Sequence, residues 1–311
     1  MNLKNYRHYR KFLAAKYCRA KFMSDILRRL RLSGLSVKLN QYFFSGIQKF
    51  LKDNYLSVIQ QAEKDTAPAA EKSEYDDCIW IAWFQGLEKA PPLVQHCVKS
   101  IQQNANGHKV IIITEKNIFD FVQFPDYIIQ KYKAKILTMQ QLSNMLRMSL
   151  IYKYGGVWID ATMLATAPLS PAIFNSEFYT IKKTSASPYY IPQGRWTTYF
   201  LSGKKGCPLA HIIVSVLFAY WKTNTELVDY FLFDQTINFC YENSPMCHAL
   251  IESVPENNPE AIFFKGRYGK PFDAAEWERI KKTTSLFKLS WKEPFDSTKK
   301  GTWYTETIET V

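Results

Sequence analysis

The 311-residue sequence contains no C-x-x-C pair, no Asn-x-Ser/Thr acceptor, no internal repeat and no low-complexity tract. Its six cysteines, Cys18, Cys78, Cys97, Cys207, Cys240 and Cys247, are scattered, which speaks against a disulfide framework or a cysteine-based zinc site. No apolar signal core precedes a small-residue cleavage site near the start, so reduced, mostly buried thiols in a cytoplasmic protein are expected. The longest aliphatic and aromatic run, IIVSVLFAYW from Ile212, is about half of the roughly 20 residues that a bilayer span needs. The five histidines, His8, His96, His108, His211 and His248, show no metal-ligand spacing. Acid is nearly missing from the start of the chain. Between Met1 and Lys52, 13 lysines and arginines stand against one carboxylate, Asp25, a balance of +12 that equals the net charge of the whole chain.

What is present is a large apolar inventory, 47% hydrophobic and 15% aromatic, enough for one big globular domain or a domain with an appendage. The basic segment reads as helical, with Phe12, Leu13 and Tyr17, then Ile26, Leu27 and Leu30, set among the cations. The stretch EKDTAPAAEKSEYDD, 63–77, is polar and proline-containing and reads as a linker, placing a boundary near residue 75. Two regions follow: a basic helical region with its linker, 1–75, and an α/β domain, 76–311.

Beyond the linker, strands and helices alternate. CIWIAWF (78–84), KVIIIT (109–114) and VWIDA (157–161) read as buried strands, and FYTIKK and RWTTYFL as further strand candidates. Helices are expected over 91–104, 125–132, 140–154, 208–222 and 227–241. This order implies a mostly parallel α/β sheet with right-handed crossovers. In such a sheet ligands bind beyond the carboxyl ends of the strands, where Asp160 and Trp83 both fall, Trp83 being followed by Phe84, Gln85 and Gly86. Asp160 there either ligates a divalent cation or caps a turn; Trp83 either stacks on a base or belongs to the core. Asn144 and Arg147, three apart on one helix, share a face with Met148 and Ile151, and a guanidinium there requires partners. Those partners are either a polyhydroxyl ligand or an internal carboxylate and helix-end carbonyls.

IWIAWFQG, APPLVQHCVKSI and LSNMLRMSLIYKYGGVWIDATML resemble the capsular polysaccharide synthesis glycosyltransferases, strongly over 78–170 and weakly to about 292. These belong to a wider group of retaining sugar transferases with a DxD motif that includes yeast Golgi mannosyltransferases and clostridial glucosylating toxins. The resemblance implies a GT-A-like nucleotide-sugar-binding Rossmann-type sheet and transfer of a sugar to a growing, lipid-linked surface polysaccharide with retention. It implies that Trp83 contacts the base, that Asn144, where most relatives have Asp, and Arg147 contact sugar and ribose, and that Asp160 is the first DxD carboxylate. Gln85, Ser143 and Gly156 complete the donor-binding set. Thr162 stands where the last Asp would be, so Asp160 is the one protein carboxylate left to anchor Mn²⁺ or Mg²⁺. KLSWK, 288–292, resembles the family's C-terminal element, in which Lys288 and Lys292 neutralise the diphosphate and Ser290 or Trp291 closes over it; relatives often have His at the Trp291 position. Asp234 and Gln235, on an apolar helix, either meet an acceptor hydroxyl or pair internally, and Asp234 joins Asp160 and Arg147 as a catalytic candidate.

The basic segment is expected to hold the domain on the inner face of the plasma membrane, since each Lys or Arg near an anionic leaflet contributes about 1 kcal/mol, with Phe12, Leu13 and Tyr17 as its apolar stripe. The alternative is a helical bundle packed on the catalytic domain. Two other functions stay open: an inactive scaffold of the capsule machinery, which Asn144 and Thr162 would fit, and a nucleic-acid-binding protein, which the +12 segment would fit.

Overall fold

The computed structural model describes residues 3–65, 72–183, 186–296 and 298–308. The basic segment is helical as its spacing implies: α1 (Leu3–Tyr9), α2 (Ala15–Arg29) and the long α3 (Ser33–Ala62). The three apolar runs become β1 (Ile79–Ala82), β2 (Val110–Ile113) and β3 (Gly156–Ile159). Between β1 and β2 runs α4 (Pro92–Gln103), opened by a proline at its first position, where no intrahelical N–H is lost. Two short helices, α5 (Ile118–Phe121) and α6 (Asp126–Lys133), lead to α7 (Met139–Tyr154). A capping box starts α7, Thr138 accepting from the Gln141 N–H while the Gln141 side chain accepts from the Thr138 N–H.

The Gly155-Gly156 break has a steric cause. Both residues have positive φ, 71° and 83°. A Cβ on Gly156 would lie 2.1 Å from the Cys78 carbonyl oxygen, so only glycine lets the chain leave α7 and enter β3 directly against β1. Next come β4 (Met163–Ala165), α8 (Ala172–Asn175), β5 (Phe178–Thr180) and β6 (Phe200–Gly203). The helices α9 (Pro208–Thr223), α10 (Leu232–Asn243), α11 (Pro245–Glu252) and α12 (Ala274–Lys281) then precede β7 (Leu286–Lys288).

The main sheet is mixed rather than mostly parallel. Its order is β2-β1-β3-β6-β5, with β1 parallel to β2 and β3, and β6 antiparallel to β3 and β5. The reason lies in the connections. A parallel neighbour requires a crossover, which α4 supplies between β1 and β2; the described residues between β5 and β6, 181–183 and 186–199, form no helix, and β6 pairs beside β5 in the opposite sense. Only 200–203 of the RWTTYFL stretch and its continuation is strand, and 195–199 is a loop edge. The helix expected from 227 begins at Leu232, because the Asp229 carboxylate holds the Phe231 N–H in a turn. A second two-stranded sheet, β4 with β7, was not anticipated.

The helices on either side of residue 75 share one core, in which Phe43, Ile47, Leu51 and Ile59 of α3 pack with residues of the body such as Tyr220, Trp221 and Phe239. Tyr55 Oη meets Thr223 Oγ1 at 3.0 Å, and Asn40 donates to the Tyr189 carbonyl at 3.0 Å. Part of the expected linker, residues 66–71, lies outside the described residues. The expected apolar stripe is turned inward: Leu13 is 5% exposed, Phe12 packs edge-on to Phe50 and Tyr17 against Tyr42. All six cysteines are buried and unpaired. Among the described residues no helix is long and apolar enough to cross a membrane.

Candidate active site at the carboxyl end of the central strand

β3 is the middle strand of the sheet, and its carboxyl end opens into a cluster of charges. Asp160 follows the strand, its backbone N–H donating to the Tyr199 carbonyl at 2.9 Å across from the start of β6. Residues two apart on a strand share a face, so Trp158 lies beside it and donates from Nε1 to Asp160 Oδ1 at 3.0 Å. Lys288 arrives from β7, which the β4 pairing places opposite Met163. Its ammonium donates to Asp160 Oδ2 at 2.8 Å and to Thr162 Oγ1 at 2.7 Å, and lies 5.3 Å above the Tyr199 ring. Arg147 rises from α7 with its Nη1 3.9 Å from Asp160 Oδ1. Burial works to raise the Asp160 carboxyl, but the Lys288 ammonium and the Arg147 guanidinium more than offset it and hold it at about 2.

Arg147 is itself only 7% exposed. Its guanidinium lies over the rings of Trp158, 4.9 Å away, and Phe233, 5.2 Å away, and donates to the carbonyls of Ser143 and Thr198. The structure thus gives Arg147 the internal partners weighed as one alternative: aromatic faces, carbonyls and a carboxylate. Ser143 lies in the wall of α7 and contributes its carbonyl. Asn144 lines a separate recess with Gln140, Tyr230 and Phe233, so Phe233 stands at both.

Trp83 sits at the end of β1, and the parallel register of β1 with β3 puts it at the same, carboxyl end of the sheet as Asp160. Its ring meets Trp291 edge-on, 6.3 Å between centroids. Its indole N–H is buried and has no acceptor among the described residues. Such an orphan donor is uncommon in a native fold. Trp291 is 43% exposed and Lys292 stacks over it at 5.3 Å, while Ser290 is held by Tyr268, whose hydroxyl accepts from the Ser290 N–H. Gln85 is exposed beyond β1. Gly156 is not brought to the cluster, because it begins β3 rather than ending it.

The sequence of the capsular polysaccharide synthesis protein family matches residues 28–307, nearly the whole chain, and the match runs from α2 through α3 to the end of the described fold. The chain belongs to this family. No curated protein matches it. As a family member it has a place in capsular polysaccharide synthesis.

A divalent cation here would need several oxygens or nitrogens converging on one point. Among the described residues no three of His, Cys, Asp and Glu converge. Of the oxygens that the motif offers, Asp160 Oδ2 and Thr162 Oγ1 already accept from the Lys288 ammonium, and Asp160 Oδ1 accepts from Trp158. Trp291 has no atom with which to ligate a hard ion. A hard divalent ion asks for several oxygens, and here it would meet one carboxylate with two cations at its side. These residues do not fit Mn²⁺ or Mg²⁺.

Beside the cluster lies a cleft of ≈ 680 Å³ whose lining includes Thr198, Tyr199, Trp196 and Asp234 from the body and Phe43 and Arg28 from the amino-terminal helices. Gln235 faces inward, accepting from Gln48 Nε2 at 2.7 Å, so of the polar pair on α10 only Asp234 looks into the cleft. Burial pushes the Asp234 carboxyl up to about 6, against the opposing Trp196 N–H at 3.1 Å and the Arg147 charge. The folded chain therefore holds a proton at Asp234 that the unfolded chain, at an ordinary 3.8, has released. The carboxylate costs stability above pH 6, and that cost vanishes as pH falls below about 4. Asp234→Asn, which keeps an acceptor for Trp196, is expected to gain on the order of 2 kcal/mol at pH 8 and almost nothing at pH 4. Chemical unfolding of both proteins at the two pH values checks this; an equal difference at both would show that the carboxyl is not raised.

Sequence reasoning missed Trp158, Trp196, Thr198 and Tyr199. Trp158 carried a signal, the period of two that joins it to Asp160. The other three reach the site through the 195–199 loop edge, and no local pattern marks them.

Proposed function

We propose that this family member is a glycosyltransferase that moves a sugar from a nucleotide-sugar donor to a lipid-linked polysaccharide acceptor, and that Lys288 and Arg147 supply the positive charge the reaction needs. The observation that carries the reading is the double pairing of Lys288 with Asp160 and Thr162. An ammonium has three donors, and two are spent on Asp160 and Thr162, which fix its position and leave the third for a phosphate oxygen. As the anomeric C–O bond breaks, its electron pair passes to the diphosphate while the sugar becomes oxocarbenium-like. Charge held in place beforehand lowers that barrier without reorganisation. Asp160 positions both cations, and Trp83, with its unpaired N–H, takes the base. The acceptor hydroxyl enters from the adjoining cleft, where Asp234 offers an acceptor and aromatic walls suit a sugar ring. The resemblance implies that the anomeric configuration is retained.

The scaffold reading has one observation on its side, that the oxygens of Asp160 and Thr162 are already paired. The two readings differ in a simple measurement. Nucleoside diphosphate sugars are screened by thermal shift in EDTA, where a donor at 100 times its Kd should stabilise the fold by about 2.7 kcal/mol. At least one donor is expected to raise the melting temperature of the parent, and Trp83→Ala is expected to lose most of that gain. No shift with any donor, with or without Mn²⁺, would favour the scaffold.

A further inference from the structure

The helix α2 is packed inside out. Its buried residues are small or polar, Cys18, Ala20 and Ser24, while Phe22 and Met23 are 44% and 45% exposed. The inner face is small because α2 and α3 approach closely: Ser24 Oγ donates to the Ser36 carbonyl at 2.7 Å, and Ser36 Oγ donates back to the Ser24 carbonyl at 3.0 Å. The turn between the helices continues the pattern. Leu30 is 63% exposed, Leu32 55% and Leu35 56%, with Arg31 between them in a left-handed conformation at φ 61°. A water-soluble helical hairpin puts such side chains inward; a group of five large apolar residues left outside marks a contact surface.

The charges around them are of one sign. Arg28, Arg29, Arg31 and Lys38 are exposed among the leucines, and Lys16 and Arg19 lie along the outer side of α2. From Ala15 to Lys38 the sequence has a single acid, Asp25, and its carboxylate is tied to Lys21 at 3.0 Å. A second copy of this chain would present the same cations and be repelled. The apolar residues also stand out from a turn instead of lining a groove. A surface that is apolar at its tip and cationic around it complements an anionic bilayer, with side chains in the acyl boundary and arginines on phosphates. The tip is joined to the site, since the Arg28 guanidinium stacks over Tyr189 at 5.4 Å and both line the cleft that reaches Asp234.

We propose that the α2–α3 hairpin inserts its tip, Leu30, Leu32 and Leu35, into an anionic bilayer, with Phe22 and Met23 extending the contact along α2 and the arginines binding headgroup phosphates. The inference assigns membrane contact to these residues and not to Phe12, Leu13 and Tyr17, which the fold has turned inward. It stands apart from the reading of the Asp160 cluster, because it uses none of those residues.

The test is co-sedimentation of the full chain with vesicles of phosphatidylcholine alone or with about a third phosphatidylglycerol. The parent is expected to bind the mixed vesicles at 0.1 M salt, to leave the neutral ones largely unbound, and to weaken as salt rises. The triple variant L30S/L32S/L35S should partition at least roughly 10²-fold less while keeping the parent's circular dichroism and melting temperature, since the leucines touch solvent. Should the triple variant misfold, Leu32→Asp alone carries the same expectation at smaller size. Equal binding by a folded leucine variant would overturn insertion. So would retention by the leucine variant combined with loss in R28Q/R29Q/R31Q, which would show attraction to any polyanion. A parent that ignores the mixed vesicles but self-associates, and stops doing so in the leucine variant, would assign the surface to a second copy.

Discussion

Lys288→Met is expected to lower sugar transfer by at least about 10²-fold, while EDTA leaves the parent's rate unchanged. On the proposed glycosyltransferase reading, the loss follows from removing a charge already in place beside the leaving diphosphate, an effect of about 10²–10³ for preorganised stabilisers of this kind. The EDTA result follows from the donor set, because the oxygens of Asp160 and Thr162 are held by the Lys288 ammonium at 2.8 and 2.7 Å. Methionine keeps most of the stem's volume, so packing against Tyr199 survives and the fold is expected to persist. Binding provides a readout separate from rate: calorimetry with a nucleoside diphosphate should show weaker affinity for the variant and no gain for the parent on adding Mn²⁺. Transfer by the parent that stops in EDTA and returns with Mn²⁺ would overturn the role given to Lys288. Undiminished transfer by Lys288→Met would do the same.

Asp160→Asn is expected to lose transfer by on the order of 10²-fold and to lose stability as well, because one carboxylate orients both cations. Arg147 is 7% exposed and would keep its carbonyl partners but lose its nearest counter-charge. Folding takes the carboxyl from an ordinary 3.8 to about 2, so the unfolded chain binds its proton first as pH falls. Its contribution to stability, about 2 kcal/mol by linkage, is complete above pH 4 and fades as pH drops toward 2. The stability gap between parent and variant should therefore be wide at pH 7, reduced by roughly half at pH 3 and narrow at pH 2, as read by denaturant unfolding at each pH. A variant within a few-fold of the parent in transfer would remove Asp160 from the site.

The two strand ends, Trp83 and Asp160, were legible in the sequence because a buried parallel strand is a run of apolar residues, and the first polar or aromatic residue past it marks the carboxyl end. The Gly155-Gly156 break was legible for the same reason, since two glycines before an apolar run leave few conformations other than a sharp entry into the sheet. The sense of β5 and β6 was not. The absence of a crossover helix from the described residues 181–183 and 186–199 is no local signal, and the stretch carries strand-like aromatics at Tyr189, Tyr190, Trp196 and Tyr199.

The site divides along the same line. Lys288 could be named as a candidate from its motif, but its pairing with Asp160 and Thr162 depends on β7 lying against β4 across more than a hundred residues. The gain in free energy from such a contact is a matter of position in three dimensions, and no period in the chain encodes it.

The sequence by itself determined the basic helices, the helices α4, α6, α7 and α9, the buried strands β1, β2 and β3, their strand-end residues and the concentration of positive charge before residue 53, because these depend on local spacing and counting. Only the tertiary structure decided which way the apolar residues of the basic helices face. The serines of α2 and α3 bring the two helices together, Leu13 is drawn into the core, and Leu30, Leu32 and Leu35 are left outside. A helix carrying apolar residues on more than one side cannot reveal from its own sequence which side its neighbour will cover, because burial is a property of the pair.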